Sequence, residues 1–91
     1  MGTDYAGAPG VVFDLGMPIH EIEWMYEAGM TPMDIIVAAS KHAARVCNLD
    51  SEIGTLEVGK AADILVVDGN PLEDIHALTE TKMILREGVS V

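Results

Sequence analysis

The sequence predicts an α+β fold in which two helices are followed by about four short strands. Apolar residues at helical spacing and a strong helix-start signal mark residues 19 to about 47. Beyond residue 48, apolar residues alternate with polar ones or run without interruption, which is typical of strands. Residues 1–18 contain repeated Gly and Pro and predict a long loop.

The two helices are bounded by local signals. The first is predicted from Ile19 to about Ala28, where apolar residues recur every three or four positions, and Gly29 marks its end. The second begins at Thr31-Pro32, because the threonine can cap free N–H groups and proline suits the first helical position. It runs to about Cys47. Its apolar stripe consists of Ile35, Ile36, Ala39, Ala43 and Val46.

The strand signals are short and closely spaced. Thr55–Val58 alternates between polar and apolar residues and ends at a turn, which predicts a strand. Ile64–Val67 is apolar throughout, which predicts a strand covered on both faces. Residues 71–78 predict a short helical turn. The stretch from Lys82 to Val91 predicts a hairpin that turns at Glu87-Gly88.

Composition excludes several kinds of partner. Fifteen Asp and Glu against five Lys and Arg give a net charge of −10, which repels nucleic acids and anionic membrane surfaces. No apolar run approaches the roughly 20 residues of a membrane-spanning helix. Cys47 is the single cysteine, so an internal disulfide is excluded and a cytoplasmic location is expected.

The hydrophobic content is high for so short a chain. Of the 91 residues, 49% are hydrophobic, and a small domain buries a smaller share of its surface than a large one. Apolar surface left in water favours association with another chain. We therefore expect a homo-oligomer, and specifically a symmetric dimer.

Four stretches of the chain carry recognisable motifs, namely Gly2-Thr3-Asp4, Glu27–Met33, Ala38–Ala44 and Ile53–Ile75. They resemble motifs of the amidohydrolase superfamily, in particular those of its prolidase-like and imidazolonepropionase-like members. Gly2-Thr3-Asp4 resembles the end of the eighth barrel strand, and Glu27–Met33 resembles a helix start of that family. Ala38–Ala44 is similar to a family helix that usually has Asn where this chain has His42. The most specific similarity extends from Ile53 to Ile75 and includes the Gly-Lys turn and the Asn-Pro-Leu segment.

The resemblance implies a fold divided between two bodies. Residues 1–50 would be the end of a TIM-type (β/α)8 barrel, including the two predicted helices. Residues 51–91 would be the C-terminal strands of a small β-sandwich that also receives strands from the chain's N-terminus. Those N-terminal strands have no counterpart in this sequence, so the predicted fold is a truncated one.

The resemblance also implies a chemistry, namely hydrolysis of C–N bonds in amides, dipeptides or cyclic amides. In family members, an aspartate at the position of Asp4 binds zinc or another divalent metal and acts as a general base. The H-x-H pair and the other metal ligands have no counterpart here. We therefore expect the isolated chain to bind no metal and to be inactive.

Other interpretations remain open at this stage. Without the family, Asp4 in Gly-Thr-Asp-Tyr is a turn residue that satisfies its own backbone. A metal site formed by Asp4, His20 and Glu23 is a further alternative. The chain could also be a non-enzymatic module that associates with itself or a partner, or a subunit that completes a truncated amidohydrolase.

Overall fold

The computed structural model describes residues 17–91, which form two helical segments and a three-stranded antiparallel sheet. The elements are α1 (Ile19–Glu27), α2 (Pro32–Val37), a π-helical turn (Ala38–His42), α3 (Ala43–Val46), β1 (Ile64–Val67), a 3-10 helix (Ile75–Thr79), β2 (Thr81–Arg86) and β3 (Val89–Ser90). The predicted order of helices before strands is confirmed.

The predicted helix start at residue 31 is confirmed by a capping box. The Thr31 hydroxyl accepts a hydrogen bond from the Asp34 backbone N–H at 3.2 Å, and the Asp34 carboxylate accepts one from the Thr31 N–H at 3.1 Å. The side-chain and backbone hydrogen bonds from Thr31 lower the pKa of Asp34. These two local contacts fix where α2 begins.

The second helical segment departs from a regular α-helix at the π-helical turn. The Ser40 hydroxyl donates a hydrogen bond of 2.6 Å to the Ile36 carbonyl, which in an α-helix would receive the Ser40 backbone N–H. This competition between hydroxyl and backbone gives a physical reason for the irregularity. The apolar stripe predicted from helical spacing does not stay on one buried face: Val46 is 87% exposed, whereas Ala44 is buried.

The strand predicted at Thr55–Val58 is wrong, and these residues form a turn. The Glu57 carboxylate accepts hydrogen bonds from the Thr55 hydroxyl and from the Lys60 ammonium, the latter at 2.8 Å. The Lys60 hydrogen bond is the main cause that lowers the pKa of Glu57. Because Leu56 and Val58 point into solvent, their alternation reflects no buried face. The described chain therefore has three strands.

The predicted hairpin is confirmed as β2 and β3. Glu87 and Gly88 both have positive φ, 52° and 82°, as a two-residue hairpin turn of the favoured hand requires. The Glu87 backbone N–H also donates to the Asp63 carboxylate at 2.9 Å, which attaches the turn to the start of β1. β1 pairs antiparallel with β2, with Leu65 opposite Ile84, and β2 is the central strand.

β1 is less covered than its sequence predicted. Leu65 is 41% exposed and Val66 is 37% exposed, so this chain covers β1 only in part, and full cover on both faces stays a prediction. Opposite them on β2, Ile84 and Met83 are also exposed. β1 lies at one edge of the sheet, and its second edge pairs with no strand among residues 17–91.

The core connects the helices to the C-terminal half of the chain. Ile22 of α1, Ile35 of α2 and Ile75 of the 3-10 helix are 1%, 0% and 5% exposed and form one cluster. The partly buried residues packed against it are Met17, Ile19, Met25, Met30, Ile36 and Leu78. The domain boundary near residue 50 stays a prediction.

Candidate functional site

The predicted catalytic and metal-binding residue, Asp4, lies outside the described residues, so its role stays a prediction. His20, which the alternative metal site would use, is exposed near the start of α1. Its ring centroid lies 6.4 Å from that of Trp24. Within residues 17–91, no group of three or more His, Cys, Asp or Glu is placed to hold a metal ion. We therefore derive no metal chemistry from this part of the chain.

The most developed polar cluster in the described part of the chain centres on His76. Its Nε2 lies 3.0 Å from Glu23 Oε1 on α1, and its Nδ1 lies 3.0 Å from Asp74 Oδ1. The Asp74 carboxylate also accepts the backbone N–H of His76 at 3.0 Å, which caps the 3-10 helix and fixes the ring close to the carboxylate. Glu23 and His76 are 53 positions apart in sequence.

The charges in this cluster support one another. The hydrogen bond to Glu23 and then that to Asp74 raise the pKa of His76 above its ordinary value. The pKa of Asp74 is lowered, mainly by the hydrogen bond from the His76 backbone N–H and next by the hydrogen bond from the His76 side chain. The side chains of His76, Glu23 and Asp74 are 56%, 39% and 72% exposed, so solvent screens these ion pairs.

An open acidic groove of about 330 Å³ lies beside His76. Its carboxylates come from Asp68 at the end of β1, Glu73, Asp74 and Glu80. His76 is the one lining residue that can carry a positive charge. The groove contains no Ser, Cys or Lys, so its side chains offer no activated nucleophile of those types.

Sequence reasoning did not find this cluster. Asp74 and His76 are two positions apart, which is the spacing of a local Asx turn and signals no more than that. Glu23 is brought to His76 only because Ile22 and Ile75, their immediate neighbours in sequence, meet in the core. Such a contact depends on tertiary packing, and the sequence offers no pattern that predicts it.

A comparison with known families gives a clear result for nearly the whole chain. Residues 1–90 match the model of the amidohydrolase family. The chain belongs to the amidohydrolase family. The predicted resemblance is thereby confirmed.

Individual relatives agree with this assignment. The chain is 36% identical over 88 residues to a 5-methylthioadenosine/S-adenosylhomocysteine deaminase of Symbiobacterium thermophilum, covering 85% of this chain and 20% of the relative. It is 35% identical over 60 residues to an imidazolonepropionase of Brevibacillus brevis, covering 66% of this chain and 14% of the relative. A crystal structure of a Xaa-Pro dipeptidase with bound methionine matches with a TM-score of 0.81 and 32% identity, covering 86% of this chain and 19% of that protein.

These amidohydrolase relatives are much longer than the present chain. It spans a fifth or less of the length of each. In residues 17–91, no helix is long and apolar enough to cross a membrane. The cytoplasmic location and the absence of bound metal stay predictions.

Proposed function

We propose that this chain is the C-terminal part of an amidohydrolase that hydrolyses C–N bonds of amides, dipeptides or cyclic amides. The observation that carries the proposal is the family match over residues 1–90 in a chain that spans a fifth or less of its relatives. The names of the relatives, an imidazolonepropionase and a Xaa-Pro dipeptidase, support this class of bond.

In this proposal, residues 1–50 close a (β/α)8 barrel and residues 51–91 contribute strands to a β-sandwich. The remaining portion of the enzyme, in the same polypeptide or as a separate chain, supplies the other strands. Among residues 17–91 no strand pairs with the second edge of β1, and this open edge, together with the exposure of Leu65 and Val66, supports the arrangement. An open strand edge and apolar faces are the features that another strand would cover.

Asp4 is the residue that we propose to bind the catalytic metal, zinc or another divalent ion, and to act as general base in the complete enzyme. A single carboxylate holds a divalent ion weakly, because affinity needs several converging ligands. The additional ligands would come from the remaining portion of the enzyme. The isolated chain should therefore lack activity.

We expect purified chain supplied with Zn²⁺ to show no turnover of an aminoacyl-proline dipeptide or of an imidazolone above the buffer rate. The physical reason is that one carboxylate cannot both hold the metal and complete its coordination. The measurement is product formation followed over hours, with the Asp4→Asn variant as the matched control. Turnover by the natural chain that disappears in Asp4→Asn would contradict the proposal of an inactive part.

A second candidate function is self-association of the isolated chain as a dimer. The specific observation in its favour is that both faces of the sheet carry partly exposed apolar pairs, Leu65 with Ile84 on one face and Val66 with Met83 on the other, all between 37% and 46% exposed. Burial of such surface against a second copy is favourable at roughly 25 cal/mol per Å². Light scattering should give a mass about twice the 9.7 kDa of one chain, and a monodisperse monomer would exclude this candidate.

A further inference from the structure

The two ring nitrogens of His76 each lie within hydrogen-bond distance of a carboxylate, one on α1 and one just before the 3-10 helix, and the two bonds together require a second proton on the ring. Each ring nitrogen lies 3.0 Å from a carboxylate oxygen, of Glu23 on one side and Asp74 on the other. An ionised carboxylate only accepts hydrogen bonds, and neutral imidazole has a single N–H to donate. Both bonds can therefore exist together only when His76 is the imidazolium ion.

We propose that His76 is a proton-controlled latch that ties α1 to the 3-10 helix. The latch is closed when the ring is protonated and loses one of its two side-chain bonds when the ring is neutral. A pH-sensitive contact of this kind goes beyond the proposed hydrolase function and does not depend on it.

The groups that face the ring all favour its protonated form. Glu23 approaches from α1, and Asp74 lies on the segment that precedes the 3-10 helix. Three further carboxylates line the groove beside the ring, those of Asp68, Glu73 and Glu80, and no Lys or Arg lines it. The raised pKa of His76 agrees with surroundings whose other charged groups are all carboxylates.

The bond to Glu23 is the one that neutral His76 should lose. The Asp74 carboxylate is two residues away and already accepts the His76 backbone N–H. The hydrogen bond from His76 Nδ1–H to Asp74 therefore costs little additional conformational entropy. Glu23 is reached by Nε2 alone, across the interface between two elements. Because Ile22 and Ile75 stand next to these residues in sequence and meet in the core, opening should loosen the packing of α1.

The pH range follows from the direction of the pKa shift. A group whose folded-state pKa is raised stabilises the fold fully below its unfolded value, here 6.5, and this contribution is lost as pH rises through the folded value. The latch should therefore be closed in mildly acidic solution and open in alkaline solution. Since the side chains are largely exposed, the expected effect is a modest change in stability rather than unfolding.

The test is a titration of the histidine ring signals of the full chain by NMR. We expect His76 to titrate above 6.5, and Glu23→Gln to lower its pKa. Glu21→Gln, also a carboxylate removed from α1, is the matched control and should leave it nearly unchanged.

A double-mutant cycle supplies the second measurement. The urea midpoints of wild type, His76→Asn, Glu23→Gln and the double variant should show coupling at about pH 6 that disappears at about pH 9. If His76→Asn does not fold, the comparison of the His76 pKa in wild type and in Glu23→Gln still tests the latch. The latch is refuted if His76 titrates at or below 6.5, or if Glu21→Gln shifts it as much as Glu23→Gln does.

Discussion

Replacement of Gly54 by alanine should destabilise the chain by about 3 kcal/mol. Gly54 has a φ of +101°, which residues with a side chain rarely adopt. A Cβ atom at this position would lie 2.7 Å from the Ala44 Cβ and 3.1 Å from the Ser40 carbonyl oxygen. The penalty therefore combines backbone strain with a steric clash against the helix, and it is large relative to the stability of a small domain.

The control for this prediction is Gly59→Ala. Gly59 has a similar φ of +92°, but nothing lies within 4 Å of the position that a Cβ would take. This variant should lose about 1 kcal/mol of stability, because only the backbone strain contributes. Urea denaturation of both variants gives the comparison. Equal losses would show that the loop at residue 54 does not pack on the helix as the structure has it.

Leu65→Lys should convert the proposed dimer of the isolated chain into a monomer. Leu65 lies at the centre of β1 opposite Ile84, so a lysine there would place an ammonium group within the apolar sheet surface. Because the substitution moves the net charge from −10 towards zero, dissociation could not result from added charge repulsion. Leu65 is already 41% exposed, so the fold of the single chain should tolerate the change.

The matched control for the dimer is Val58→Lys. Val58 is fully exposed in the turn that follows Thr55 and lies outside the sheet. The Val58→Lys substitution introduces the same charge outside the proposed interface. Light scattering at equal concentrations should give about 9.7 kDa for Leu65→Lys and about twice that for Val58→Lys and wild type. Equal masses for the two variants would show that the sheet is not the interface.

The elements that could be predicted from the sequence are those fixed by local interactions. Thr31 and Asp34 cap their helix within three residues, and Gly88 readily adopts the positive φ that a tight hairpin turn needs. At Thr55–Val58, the alternation of polar and apolar residues alone could not distinguish a strand from a turn. This alternation is compatible with either a buried face or solvent, and the local ion pair of Glu57 with Lys60 favoured the turn.

The candidate sites were predictable to different degrees. The prediction of a site at Asp4 rests on a family motif, because a lone Gly-Thr-Asp carries little chemical information, and it stays a prediction. The contact of Glu23 with His76 spans 53 positions and follows from the packing of Ile22 against Ile75. No periodicity or spacing in the sequence indicates such a contact. The π-helical turn likewise depends on the Ser40 hydroxyl competing for the Ile36 carbonyl, which helical propensity alone does not predict.

The central claim is that this chain is one part of a complete amidohydrolase. The most direct test is the mass of the native polypeptide that contains residues 48–62, detected in source cells with an antibody against that segment. Because the chain spans a fifth or less of the length of its relatives, we expect a polypeptide several times heavier than 9.7 kDa, or a 9.7 kDa chain that co-purifies with a larger amidohydrolase chain. A 9.7 kDa polypeptide that purifies without such a partner would contradict it.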